Sequence, residues 1–168
     1  MISIVMPIKN AGKHLKDCLN SIINQDYKNW ELLAVNDHSS DDTVEILSLY
    51  AEEDTRIRFF NNNGSGIINA LRLAYSHSTG VYITRMDADD IMPSDKLKKM
   101  QTALLSKSNT LVTGKVKYIA DDKLFDGYKA YEDWLNSLVE NKSHFAEIYK
   151  ECVIPSPCWM LKRERQLE

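Results

Sequence analysis

Three carboxylates fall within four positions in the stretch Tyr82-Ile83-Thr84-Arg85-Met86-Asp87-Ala88-Asp89-Asp90. An apolar run (Val81 to Ile83, then Met86) stops on them, and Pro93 forbids continuation of an extended strand. Like charges this close disfavour joint ionisation. A divalent cation removes that repulsion, and hard oxygen ligands suit Mg²⁺ or Mn²⁺. The bland alternative is a loop in which Asp89 or Asp90 caps the helix that follows.

A second acidic site follows the run Trp30 to Val35, where Asp37 opens the loop Asp37-His38-Ser39-Ser40-Asp41-Asp42-Thr43. In a doubly wound sheet both loops lie on the carboxyl edge, where ligands bind, and can converge on one of them. Two such sites, one with D-x-D spacing, favour a nucleotide diphosphate held with metal. The metal would bridge the phosphates through Asp89, and a carboxylate such as Asp37 can accept hydrogen bonds from a base or ribose.

Gly64-Ser65-Gly66-Ile67-Ile68-Asn69 imitates the opening of a dinucleotide fingerprint, but Asn69 occupies the place of the third glycine. It reads as a turn and a helix start whose amides could hold an anion. Arg85 either balances the carboxylates or contacts the donor diphosphate. His38 and His77 have no metal-ligand spacing and read as exposed loop histidines.

The positioning elements follow from the pattern around these residues. Ile2 to Met6 reads as a strand ended by Pro7, and His14 to Asn24 as a helix turning Leu15, Cys18, Leu19 and Ile22 to the core. Trp30 to Val35 is the second strand. Asp42 with Glu45 predicts a capping box opening a helix to Ala51. Ile57 to Phe60 is a short strand and Asn61-Asn62-Asn63-Gly64 a flexible turn. A helix over 67–77 is expected to turn Ile68, Leu71, Ala74 and Tyr75 inward, Val81 to Met86 is the central strand, and Ser94 caps a helix to Leu105.

Leu111 to Tyr118 reads as a further strand and Asp121-Asp122-Lys123 as a turn. Tyr128 to Leu138 and Ser143 to Tyr149 read as helices, and Cys152 to Leu161, broken by Pro155 and Pro157, as an irregular or edge element. The alternation predicts an α/β fold: three layers, helices on both faces of a mostly parallel sheet. Residues 1–120 read as the donor-binding unit and 121–168 as a region over the open sheet edge beside the acidic loop.

Composition narrows the classes. The chain has 168 residues, 43% hydrophobic and 27% charged, with net charge -3 and scattered lysines, which points away from nucleic acid or an anionic membrane surface. Cys18, Cys152 and Cys158 form neither a disulfide framework nor a zinc site. No apolar run approaches membrane-spanning length, and a start lacking a basic signal region suits the cytoplasm.

The ordered stretches Ile2-Ser3-Ile4-Val5-Met6-Pro7 with Asn10, Glu31 to Asp37 with Ser39 and Asp41-Asp42-Thr43, Asn63-x-Gly-x-Ile, and Gly80 to Asp90 with Pro93 and Leu97 resemble family-2 glycosyltransferases of the GT-A fold. Glu151 to Met160 looks like the segment preceding the acceptor region in bacterial members. The resemblance implies metal-assisted, usually inverting transfer of a sugar from a UDP- or GDP-type donor to a glycan or lipid-linked acceptor, as in surface polysaccharide synthesis.

By the same resemblance, Asp37 contacts the base, Asp87 lies towards ribose or the metal shell, and Asp89 ligates the metal. Pro7 and Asn10 border the nucleoside, with Arg85 beside the diphosphate. Asn36 stands where the family commonly has an aspartate, and His38 where glycine is usual. The family's catalytic base lies in an acidic motif expected beyond Glu168. Glu147, Glu151 and Glu164 form no such pair, so the chain reads as a donor-binding part of a longer enzyme. Membrane association would then come through partners or that missing part, and the apolar stretch Val153 to Leu161 offers a surface for self-association.

Three other readings compete. A nucleotidyltransferase would want a first loop rich in glycine and basic residues, unlike Pro7-Ile8-Lys9-Asn10-Ala11-Gly12. A phosphoacceptor signalling domain would need an acidic pair after the first strand, where Pro7 and Lys9 stand. An inactive binding module is the third.

Overall fold

The computed structural model describes residues 1–105, 110–121 and 123–163. Strands β1 (Ile2–Ile8), β2 (Trp30–Asn36), β3 (Ile57–Asn61) and β4 (Tyr82–Arg85) alternate with helices α1 (Gly12–Ile23), α2 (Thr43–Glu53), α3 (Ile67–His77) and α4 (Lys96–Leu105). Then come β5 (Val112–Thr113), α5 (Asp126–Asn141), α6 (His144–Glu147) and β6 (Trp159–Lys162). The six strands form one sheet in the order β3-β2-β1-β4-β6-β5. β1 to β4 run parallel, and β6 lies antiparallel to both of its neighbours.

The period of two along the strands creates the layers. Ile2, Ile4, Met6 and Ile8 of β1, with Trp30, Leu32 and Ala34 of β2, face Leu15, Cys18, Leu19 and Ile22 of α1, Ile46 and Leu47 of α2, and Leu97, Met100 and Leu104 of α4. Val5, Leu33, Val35 and Ile83 face the other way, onto Ala70 and Ala74 of α3. Both faces are covered, as the apolar runs of a buried parallel sheet require.

Several elements depart from their sequence expectations. β1 does not stop at Pro7: it continues to Ile8 in register with Val35 and Asn36. Val5 O accepts from Met86 N, and Ile8 O accepts from Asp37 N, so odd residues of β1 bond towards β4 and even ones towards β2. The β4 ladder ends at Val5. Pro7, lacking an N–H, therefore faces the side where the ladder has already opened.

Ile68 is 59% exposed, because α3 packs through the small side chains of Ala70 and Ala74 instead. The capping box is absent: Asp42 makes no side-chain cap, and Asp41 Oδ1 accepts from Thr43 N at 3.2 Å. His77 lies in the last turn of α3, stacked on Phe60, and not in a loop.

The extended stretch expected over 111–118 shrinks to β5, because the strand that pairs with β4 is β6. Residues 159–162 are thus interior to the sheet, not an irregular edge. α5 docks beyond β5: Val116 N donates to Asn136 Oδ1, Asn136 Nδ2 returns a bond to Val116 O, both at 2.9 Å, and Tyr118 N donates to Glu132. Asp122 and Glu164 lie outside the described residues. Among the described residues no helix is long and apolar enough to cross a membrane.

The amino edge of the sheet is tied around Glu31, a buried charge only 7% exposed. Its Oε1 accepts from Ser3 Oγ at 2.6 Å, Thr79 N at 2.6 Å, Thr79 Oγ1 at 3.0 Å and Gly80 N at 3.2 Å, and Arg58 Nη1 reaches its Oε2 at 3.4 Å. Burial raises the Glu31 carboxyl, but the Ser3 and Thr79 hydrogen bonds and Arg58 more than offset it and leave it below its ordinary value. A group depressed in the folded state stabilises fully above its unfolded pKa, and that contribution fades as pH falls through the folded one. The urea-unfolding advantage of wild type over Glu31→Gln is therefore expected to be constant above about pH 5.5, one unit over the ordinary value of 4.5, and to shrink on acidification below it. An advantage that grows towards acid would contradict this assignment.

Candidate functional site

β2 and β4 flank β1, and all three are parallel, so Asp37 and the Asp87–Asp90 loop emerge at the same edge. Chain direction reverses its lateral progress here: β2 and β3 add on one side of β1 and β4 on the other. That is the crevice where open α/β sheets bind ligands.

Asp37 is 6% exposed and held from the β3–α3 loop. Asn62 Nδ2 donates to its Oδ1 at 2.7 Å, and Gly66 N donates to both carboxylate oxygens at 3.1 and 3.0 Å. The Asn62 hydrogen bond, with the Gly66 amide assisting, holds the carboxyl below its usual range, so it is an anion with a fixed orientation. Gly66 has φ +84°, which gives its amide that approach without strain. Asn62, 4% exposed, is a site residue that sequence reading passed over as part of a flexible turn.

The two departures noted in sequence acquire physical roles. Asn36 Nδ2 donates to Asn61 Oδ1 at 3.0 Å while its Oδ1 accepts from Ser39 N at 3.0 Å, so a neutral amide joins β2, β3 and the loop using both its ends. A carboxylate there could only accept. His38 has φ +60°, the left-handed conformation that glycine adopts freely. Its Nε2 donates to Gly64 O at 2.8 Å, tying the Asp37 loop to the β3–α3 turn. His38 is exposed, as expected.

The first loop is laced to the second. Asn10, with φ +50°, donates its amide to Ser39 Oγ at 2.9 Å and accepts from Ser40 N at 2.8 Å. Ala11 N donates to Thr43 Oγ1 and Gly12 N to Asp41 Oδ2, each at 2.9 Å. Asn10 thus positions both loops at the crevice rim, with Pro7 half-buried just below it.

At the end of β4, Arg85 Nε donates to Asp87 Oδ1 at 2.8 Å in a mostly buried ion pair. This is the charge-balancing role anticipated for Arg85, directed at one carboxylate. Asp89 is exposed, and its side chain makes no hydrogen bond or ion pair among the described residues. Burial pushes the Asp90 carboxyl up to about 6, and the charges of Asp89 and Asp87 add to it. Lys96, half-buried in the first turn of α4, offsets part of that repulsion and donates to Pro157 O.

The donor set fits a hard divalent cation on two counts: the three carboxylates are only partly balanced by Arg85 and Lys96, and Asp89 makes no bond that would keep it from ligating. Among the described residues no three His, Cys, Asp or Glu side chains converge as a closed cage. Mg²⁺ typically takes only one or two protein carboxylates and completes its shell with substrate phosphates and water. Asp89, with the second oxygen of Asp87, would supply that share.

Beside this loop lies a cavity of about 690 Å³ bounded by Asp90, Lys96, Met100, Val116 and Cys158. Nothing in the sequence announced it, because its walls meet only when 112–119 folds against α4. Cys18 and Cys158 are buried free thiols and Cys152 is exposed. Burial, with the charges of Asp90 and Asp89, pushes Cys18 up to about 12, so it is inert as a nucleophile.

The family model described as glycosyl transferase family 2 matches residues 3–166. Glycosyltransferase GlyG of Streptococcus pneumoniae is 32% identical over 136 residues, covering 80% of this chain and 45% of that protein. The chain thus spans under half the length of the curated relatives it matches first. In shape it is similar to mannosyltransferase PcManGT from Pyrobaculum calidifontis, solved with GDP-Man and Mn²⁺ (TM-score 0.74, 22% identity, 97% of this chain and 44% of that one). It is also similar to S. aureus TarS in complex with UDP (TM-score 0.70, 17% identity, 96% and 46%). With its GT-A fold and a family match running through nearly all of the sequence, the chain belongs to glycosyl transferase family 2.

Proposed function

We propose that this chain binds a nucleotide-diphosphate sugar at the carboxyl edge of its sheet and, within the whole enzyme, delivers the sugar to an acceptor hydroxyl with inversion. The observation that carries this reading is the placement of an oriented anion, Asp37, and a free carboxylate, Asp89, on opposite sides of β1 at one edge. Asp37 would read the base, Pro7 and Asn10 would border the nucleoside, and Asp87, aligned by Arg85, would face ribose and the metal shell. Asp89 would hold Mg²⁺ or Mn²⁺, which supplies positive charge to the leaving diphosphate. Residues 1–120 carry this site. Residues 121–168 begin the acceptor side, and a glycan or lipid-linked acceptor in surface polysaccharide synthesis suits the family.

The base that takes the acceptor proton is assigned to none of these residues. Glu147 is paired with Lys150 at 2.5 Å and Glu151 accepts from Cys152 N, so neither is poised for an acceptor. A downstream carboxylate fits that role.

Calorimetry with UDP and GDP, each with Mn²⁺ and with EDTA, tests the reading. Binding of either nucleotide that tightens with metal is expected, and Asp37→Ala should weaken it about tenfold in both buffers because the base contact does not involve the metal. Absence of binding by both nucleotides, or an Asp37→Ala loss confined to the metal buffer, would contradict it.

A further inference from the structure

The loop that carries Asp87 and Asp89 has almost no secondary structure of its own between Arg85 and Lys96. Its backbone polar groups still need partners where water is excluded. They come from one face of α1 and the turn after it. Cys18 Sγ contacts Asp87 O at 3.5 Å, Ser21 Oγ accepts from Met92 N at 3.0 Å, and Asp26 N donates to Ser94 O at 2.8 Å. Cys18 and Ser21, three residues apart, share one face of α1, and Gln25 continues the same side from the turn after the helix, where Gln25 N donates to Ile22 O at 3.2 Å.

Gln25 makes the largest share of these bonds and is 0% exposed. Its Nε2 donates to Pro93 O at 2.7 Å, Ser21 O at 3.1 Å and, more weakly, Met92 O at 3.3 Å. Its Oε1 accepts from Leu97 N at 3.1 Å, one of the first-turn amides of α4 that have no partner within the helix. One buried amide therefore fixes the end of the acidic loop, the break at Pro93 and the entry into α4. An uncharged group with both donors and an acceptor is required, and of side chains this long glutamine alone supplies it.

We propose that Gln25 is a positioning residue for the metal-holding loop: by clamping 92–97 to the end of α1 it sets where Asp87 and Asp89 present their carboxylates. The inference rests on the donor-binding reading above. Groups that orient metal ligands without touching the metal typically change metal affinity about 10- to 100-fold when removed.

The test uses Gln25→Met, which keeps length and removes the polar atoms, and Ser21→Ala, a milder release of the same loop at Met92. Leu47→Ala on α2 controls for destabilisation alone. Three readouts are taken on each: the Mn²⁺ concentration for half-maximal UDP or GDP binding, nucleotide affinity in EDTA, and amide exchange without metal. In Gln25→Met the Mn²⁺ midpoint is expected to rise about tenfold. Affinity in EDTA should stay within about twofold and the Leu97 amide should exchange faster, with β2 unchanged; Leu47→Ala should leave the midpoint unmoved.

Equal losses in Mn²⁺ and EDTA, an unmoved midpoint, or the same shift in Leu47→Ala would overturn the proposal. Should Gln25→Met fail to fold, Ser21→Ala decides by the same split, with Met92 as the reporting amide. Should wild type show no metal-linked nucleotide binding, the donor-site reading itself fails. The clamp is then judged on exchange alone, where unchanged Leu97 protection in Gln25→Met would overturn it.

Discussion

Asp89→Ala is expected to bind UDP or GDP equally in Mn²⁺ and in EDTA, whereas the wild-type chain should bind about a hundredfold more tightly with metal, a difference of about 2.7 kcal/mol. Asp89 is the exposed carboxylate of the acidic loop and has no side-chain partner among the described residues, so both its oxygens are open to a cation from solvent. Asp87 already gives one oxygen to Arg85, and Asp90 is half-buried with its carboxyl pushed up to about 6. Stability separates this effect from damage to the fold. Removing an exposed charge that is repelled by its neighbours should change unfolding free energy by no more than about 0.5 kcal/mol. Calorimetry in the two buffers, with urea unfolding alongside, measures both. Residual metal dependence in Asp89→Ala would move the ligand role elsewhere in the loop.

The largest expected stability loss is at the opposite edge of the sheet, at Gly80. A Cβ there would stand 2.6 Å from Ser3 Oγ, 2.7 Å from Ser3 N and 3.0 Å from Ile2 C. A side-chain atom could rotate away, but two of the three are backbone atoms at the start of β1, a strand flanked on both sides. Relief requires β1 and β4 to separate, and the Gly80 amide would then lose Ser3 Oγ, at 2.8 Å, and Glu31. Overpacking and a broken buried network together predict a loss of about 3 kcal/mol or more for Gly80→Ala. For a domain of this size that is roughly 6–12 °C in Tm. Gly80→Ala combined with Ser3→Ala should recover little, since Ser3 N remains in place. A loss below about 1 kcal/mol by urea unfolding would show that the edge is looser than this network implies.

The sheet was legible because its strands are buried on both faces and read as uninterrupted apolar runs ending in turn residues. Asp37, Asp87 and Asp89 were legible for a related reason: a carboxylate directly after such a run stands out against it. What stayed hidden depends on partners distant in sequence. Asn62 orients Asp37 across 25 residues, and Gln25 reaches Pro93 and Leu97 across 68 and 72, yet a lone amide carries no local pattern. β6 is hidden in sequence because four residues that follow Pro155 and Pro157 cannot be told from an irregular edge until β4 and β5 are seen on either side. On α3 the expected face holds for Leu71, Ala74 and Tyr75 and fails at Ile68: periodicity favours large apolar residues, whereas the close approach to the sheet selects Ala70 beside Ala74 and leaves Ile68 outside.

Placing the metal tests the account most directly. Crystals grown with Mn²⁺ and a nucleoside diphosphate, measured at the manganese absorption edge, would show the cation as an anomalous peak. One peak is expected in bonding contact with an Asp89 oxygen and with the diphosphate, with the base beside Asp37. A bound nucleotide with its manganese away from Asp89, or a nucleotide seated anywhere but across the end of β1 between Asp37 and Asp89, would contradict it.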